Sequence, residues 1–165
     1  MATVTLEGNE LNTTGQLPET GTQAPDFVLT TTDLSDVSLA DYKGKKLILN
    51  IFPSLDTSVC ATSVRRFNEV AGKTPDTEVL CISKDLPFAH KRFCGSEGLN
   101  NVISLSEMRS DDFGKKYGIK IAEGPLAGLF TRSVVIVDEK GNVKYTQLVP
   151  EITSEPDYDD VLLNL

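Results

Sequence analysis

Three cysteines, Cys60, Cys81 and Cys94, and a single histidine, His90, carry most of the chain's capacity for nucleophilic or redox chemistry. An odd number of thiols reads poorly as a disulfide framework and better as thiol chemistry or buried apolar filler. No two cysteines are separated by two residues, the spacing that disulfide oxidoreductases normally use. One histidine without clustered cysteines leaves little from which to build a zinc site. Neither common spacing of a glycine-rich phosphate loop occurs.

Cys60 has the most informative surroundings. In PSLDTSVC, residues 53–60, a proline is followed by Thr57, and Cys60 comes three residues later. A helix is predicted from Ser58 to Gly72, because Cys60, Val64, Phe67 and Ala71 recur at helical spacing as an inward stripe. Cys60 then points toward the interior from the first turn, and the Thr57 hydroxyl can lie close to its sulfur. Helix N-termini present unpaired N–H groups and a partial positive charge, both of which favour thiolate over thiol. An ordinary cysteine is only about 3% ionised at neutral pH, and making it about 90% thiolate takes about 3.4 kcal/mol. A helix end supplies about 0.3 to 1 kcal/mol, so a nearby cation is needed. Arg132 is the best-placed candidate, directly before the apolar stretch SVVIV. Arg65 and Arg66 fall on other faces of the helix and read as a solvated surface. On spacing alone, a buried packing cysteine fits as well as a reactive one.

The elements that must position these residues are legible. KLILNIF (46–52) is nearly all apolar and reads as a strand buried on both faces; TEVLCIS (77–83) is a second and NVISLS (101–106) a third. DFVLTTTD (26–33) is a further strand candidate, and LSDVSLADYKGK after it reads as a turn-rich connection. PFAHKRFC is a helix opened by Pro87 and ended by Gly95 and Gly98, anchored by Phe88 and Phe93. Asp111–Gly118 is a short helix, IAEGPLAGLF a loop, and RSVVIVDEKGNVKYTQLV a hairpin turning at Lys140-Gly141-Asn142. The first 25 residues read as a hairpin or an extended arm, and Glu155–Leu165 as a closing helix. Strand–helix–strand alternation followed by an antiparallel hairpin gives an α/β fold with a mixed central sheet flanked by helices, the thioredoxin-like pattern, in a single domain spanning residues 1–165.

Composition is that of an ordinary globular protein, 39% hydrophobic and 24% charged. A net charge of −8 argues against nucleic acid and anionic membranes as primary partners. No apolar run reaches the roughly 20 residues that span a bilayer. The start, MATVTLEGNELNTTG, lacks both the basic region and the apolar core of a secretory signal, which points to the cytoplasm.

PSLDTSVC fits the peroxiredoxin pattern of proline, three residues, threonine, two residues, cysteine. With LNIFPSLDTSVCATSVRRFNE, LCISKDLPFAHKRFCG, EGLNNVISLS and EITSEPDY, the chain resembles the bacterial thiol peroxidases, the atypical two-cysteine peroxiredoxin subfamily, along nearly its whole length. The resemblance implies a thioredoxin fold with an N-terminal hairpin and a thiol-dependent peroxidase without metal, haem or flavin. It implies Cys60 as the peroxidatic nucleophile and Cys94 as the resolving thiol, joined in an intramolecular disulfide that thioredoxin reduces. It gives Pro53 the role of shielding the sulfenic acid, Thr57 that of a donor to sulfur and peroxide, and Arg132 that of orienting both. It implies alkyl or lipid hydroperoxides and hydrogen peroxide as substrates, and a homodimer. Leu126, Leu129 and Phe130 are candidate apolar linings for the substrate, or simply loop packing. Cys81, inside a strand, reads as buried and inert. His90 reads as an exposed or helix-facing residue, not a general base. A disulfide needs Cα atoms about 4.4 to 6.8 Å apart, so the segments around Cys60 and Cys94 are expected to rearrange on oxidation. The competing function is a non-enzymatic peroxide sensor using the same disulfide.

Overall fold

Apolar runs and turn residues divide the chain into nine strands and four α-helices, described over residues 1–165 by a computed structural model. In order these are β1 (Thr3–Leu6), β2 (Asn9–Asn12), β3 (Val28–Thr31), β4 (Asp36–Ser38), β5 (Lys46–Ile51), α1 (Ser58–Lys73), β6 (Thr77–Ser83), α2 (Pro87–Glu97), β7 (Val102–Ser106), α3 (Asp112–Tyr117), β8 (Ser133–Val137), β9 (Val143–Leu148) and α4 (Tyr158–Leu163). The β1–β2 hairpin stands apart, and the other strands form one sheet in the order β4-β3-β7-β6-β5-β8-β9. β5, β6 and β7 run parallel, as their helical crossovers require; β8, β9, β3 and β4 join antiparallel.

Side-chain parity splits the core. Leu47, Leu49 and Ile51 of β5 face one side with Leu80, Ile82, Val135, Phe113, Tyr117 and Phe130. Ile48 faces the other side with Val79, Cys81, Val134 and Ile136, where α1 lays down Cys60, Val64, Phe67 and Val70. Each large apolar side chain so buried contributes about 1.5 to 3 kcal/mol.

Two expectations change. LSDVSLADYKGK contains edge strand β4 and a 3-10 turn over Leu39–Tyr42, where a turn-rich connection is predicted. Only three residues pair, so no alternation marks the strand. Helix α2 continues through Gly95, where a side chain would meet nothing, and stops at Gly98, whose φ of 67° and N–H to the Cys94 carbonyl close a left-handed cap. No helix is long and apolar enough to cross a membrane.

Candidate active site

At the carboxyl end of β5 the Phe52 N–H donates to the Ile82 carbonyl at 3.2 Å, and buried Pro53 then turns the chain toward α1. The connecting turn is clamped by Asp85. Its Oδ1 accepts from the Ser54 hydroxyl at 2.9 Å; its Oδ2 accepts from the Leu55 N–H at 2.8 Å and the Ser83 hydroxyl at 2.6 Å. Thr57 caps α1 in extended geometry, φ −102° and ψ 142°. Cys60 therefore sits in the first helical turn, among N–H groups without intrahelical acceptors, and is 0% exposed.

Arg132 precedes β8 and shares the parity of Val134 and Ile136, which puts it on the α1 side of the sheet. Its guanidinium is 2% exposed. Nη2 lies 3.3 Å from the Cys60 sulfur, Nε donates to the Ile152 carbonyl at 3.0 Å, and Nη1 has no partner. No carboxylate forms an ion pair with it. A buried cation without a counter-ion is costly, and the sulfur it touches is the group that can supply the negative charge. Cys81 shows the effect of burial without a cation. It is also 0% exposed, its one polar neighbour is Asn50 Nδ2 at 3.7 Å, and its thiol is pushed up to about 12.

The remaining predicted residues divide. Cys94, on α2, is half-buried at the edge of the apolar cluster that contains Cys60, and its sulfur contacts the Ser104 hydroxyl at 3.4 Å. Burial raises its thiol. All three cysteines are free. The Thr57 hydroxyl donates to the Ser54 carbonyl at 3.0 Å and makes no hydrogen bond to the Cys60 sulfur. Helical spacing does not extend to an extended cap residue. Arg65 and Arg66 face outward, paired with Glu97 at 2.7 Å and Glu69 at 3.2 Å.

Phe130 lies in the cluster on the opposite face of the sheet from Cys60, and Leu126 packs on the small cluster under β1 and β2. Leu129 is half-buried in the same loop. Phe130 and Leu126 thus pack in other clusters than the one that holds the sulfur; a loop without regular alternation gives no parity from which to assign a face. A concavity of about 540 Å3 lies at the other end of the sheet beside Asp26, Tyr42, Lys43 and Lys140, and contains none of the predicted residues. His90 is not exposed. At 1% exposure its Nε2 meets the Ser83 hydroxyl at 3.1 Å, and burial lowers it to about 4. Phe88 does not anchor α2; it is 61% exposed, and Phe93 does the packing. No group of three His, Cys, Asp or Glu side chains is placed to hold a metal ion.

Sequence reasoning missed Asp85, which holds the turn before α1, and the Ile152 carbonyl, which holds Arg132. The first had a signal, an acidic residue in SKDLP directly after a parallel strand, at the sheet end where α/β sites form. The second had none, since every residue carries a carbonyl.

A thioredoxin-like sheet with a cation-facing cysteine at the start of the helix after its first parallel strand, β5, defines a thiol-redox protein. The chain belongs to the redoxin family, whose model matches residues 19–162. It is 55% identical to the thiol peroxidase of Mycobacterium tuberculosis over 165 residues, covering 100% of this chain and 99% of that one. Among solved structures, a peroxiredoxin-like protein from Aquifex aeolicus superposes with a TM-score of 0.93 at 42% identity, covering 99% of this chain and 95% of that one. A thiol peroxidase from Chromobacterium violaceum superposes at 0.91 with 24% identity and the same coverage.

Proposed function

We propose that Cys60 is the peroxidatic nucleophile of a thiol-dependent peroxidase that reduces alkyl or lipid hydroperoxides and hydrogen peroxide. The observation that carries this reading is the buried Arg132 guanidinium, 3.3 Å from the Cys60 sulfur and without a carboxylate partner. Family membership and the full-length likeness to a thiol peroxidase make the chain a thiol-dependent peroxidase; the roles of individual residues are our reading.

The Cys60 thiolate attacks the terminal peroxide oxygen. The O–O bond breaks, the sulfur is oxidised to sulfenic acid, and the alkoxide or hydroxide leaves with a proton as alcohol or water. Arg132 and the first-turn N–H groups of α1 stabilise the charge that moves across the oxygens. Thr57, one residue ahead of the helix, donates to the peroxide after releasing the Ser54 carbonyl. Pro53 shields the sulfenic acid from water. The Cys94 thiol then condenses with it, forming a disulfide and releasing water. Thioredoxin, as a dithiol, reduces that disulfide and is itself oxidised. Cys60 is sealed from solvent and the two cysteines sit on separate helices, so the first turn of α1 and the end of α2 move during the cycle. The protein acts in the cytoplasm as a homodimer.

Steady-state turnover tests the assignment. With cumene hydroperoxide, thioredoxin, its reductase and NADPH, an enzyme consumes many equivalents of peroxide per chain. Consumption of one equivalent, followed by arrest in the disulfide form, would instead identify a peroxide sensor.

A further inference from the structure

Apart from the sulfur it faces, Arg132 is aimed by one atom, the Ile152 carbonyl oxygen, which accepts from Nε at 3.0 Å. The N-terminal hairpin holds that carbonyl in place. Thr5 of β1 straddles the segment: its N–H donates to the Pro150 carbonyl at 2.7 Å, and its carbonyl accepts from the Ile152 N–H at 2.8 Å. Between these two bonds, Glu151 spreads its carboxylate over the hairpin turn. Oε1 accepts from the Thr5 hydroxyl and the Gly8 N–H, both at 2.9 Å. Oε2 accepts from the Glu7 N–H at 3.2 Å, the Thr153 N–H at 2.9 Å and the Thr153 hydroxyl at 2.7 Å.

The turn needs such a grip. Glu7 and Gly8 have φ of 51° and 84°, left-handed at both central positions as a two-residue hairpin demands, which costs energy at Glu7. Below it, Val4, Leu11, Ile121 and Ile152 close an apolar cluster of their own. The N–H of Thr153, the N–H of Gly8 and the Thr153 hydroxyl hold the Glu151 carboxyl down at about 2, so the brace stays ionised across any working pH.

We propose that Glu151 is a positioning residue for the peroxidase reaction, fixing the Ile152 carbonyl through the hairpin turn and thereby the Arg132 guanidinium against the Cys60 sulfur. The proposal rests on the reading of Cys60 and Arg132 given above. It assigns a catalytic purpose to the N-terminal hairpin, which touches neither residue's reacting atoms. A displacement of about 1 Å in an aligned site can cost on the order of 100-fold in rate. The Glu151 fan is accessible to water, which replaces part of its grip, so a loss of about tenfold is expected.

A double-mutant cycle on the full chain tests this. Rates of Cys60 oxidation by hydrogen peroxide are measured by competition with a haem peroxidase for wild type, Glu151→Ala, Arg132→Met and the double variant, with circular dichroism to confirm folding. Glu151→Ala is expected to react about tenfold slower than wild type, and to lower the rate no further once Arg132 is already methionine. Glu151→Gln, which keeps the bulk and one acceptor oxygen, is expected to lose less, and it carries the test if the alanine variant does not fold. A wild-type rate in a folded Glu151 variant overturns the proposal, as does a loss of equal size with and without Arg132. An Arg132→Met enzyme as fast as wild type instead overturns the role given to Arg132 itself.

Discussion

Replacing Arg132 with methionine removes the cation in contact with the Cys60 sulfur while keeping most of the buried volume. At 3.3 Å and an effective dielectric of about 20, a thiolate–guanidinium pair is worth about 5 kcal/mol. The helix end adds about 0.3 to 1 kcal/mol. Burial of the sulfur works against both, to an extent seen at Cys81, whose thiol rises to about 12 without a cation. That rise, from 9.0 to about 12, corresponds to about 4 kcal/mol, which the arginine's attraction offsets and the helix end alone does not. The ultraviolet thiolate absorbance at neutral pH, taken as the difference from a Cys60→Ser blank, is expected to fall at least tenfold in Arg132→Met. The rate with hydrogen peroxide should fall by at least the same factor, since the remaining thiolate also loses a donor to the peroxide. Equal absorbance and equal rate in a folded variant would refute the reasoning.

Three further outcomes are expected. In Cys94→Ser, Cys60 still reduces one equivalent of peroxide at the wild-type rate, but turnover with thioredoxin falls more than about 100-fold and a dimedone adduct of Cys60 accumulates by mass spectrometry; full turnover would remove Cys94 from resolution. In Arg65→Ala, which unties α1 from Glu97 and from the Phe93 ring of α2, disulfide formation after peroxide addition speeds up by about two- to threefold, because that exposed clasp must open first; an unchanged or slower rate in quenched-flow alkylation argues against it. His90 bears on acid stability. Burial, partly opposed by Asp85, lowers it from 6.5 to about 4, so the unfolded chain binds the proton first, and stability is full above about pH 6.5 and lost as pH falls toward 4. The loss amounts to about 3 kcal/mol, visible in urea midpoints, and His90→Gln should flatten it; an equally steep decline in that variant rules out His90 as the source.

Periodicity makes much of the fold and of the site legible in the sequence. The Cys60, Val64, Phe67 stripe placed the sulfur against the sheet because an amphipathic helix has only one way to bury its apolar face. Arg132 was assignable because it directly precedes the apolar stretch SVVIV; the register of β8 then turns it to the α1 side with Val134 and Ile136. Where periodicity stops, so did the reading. Thr57 is an extended cap, so its hydroxyl turned to Ser54 instead of the sulfur. Phe130 belongs to a loop and fell on the opposite face of the sheet. His90 is buried because Ser83 accepts or donates a bond to it and Phe52 covers its ring, neither of which a lone histidine in a helix discloses. The bracing of Arg132 by Ile152 and Glu151 joins residues nearly 150 positions from the hairpin they grip, a distance over which spacing says nothing.

We propose that the Cys60 sulfur, faced by the buried Arg132 guanidinium, performs the reduction. Hydroperoxide consumption by Cys60→Ser, measured in the complete thioredoxin system beside a folded wild-type control, tests it most directly. A rate indistinguishable from the protein-free blank is expected; consumption at a substantial fraction of the wild-type rate would remove Cys60 from the chemistry.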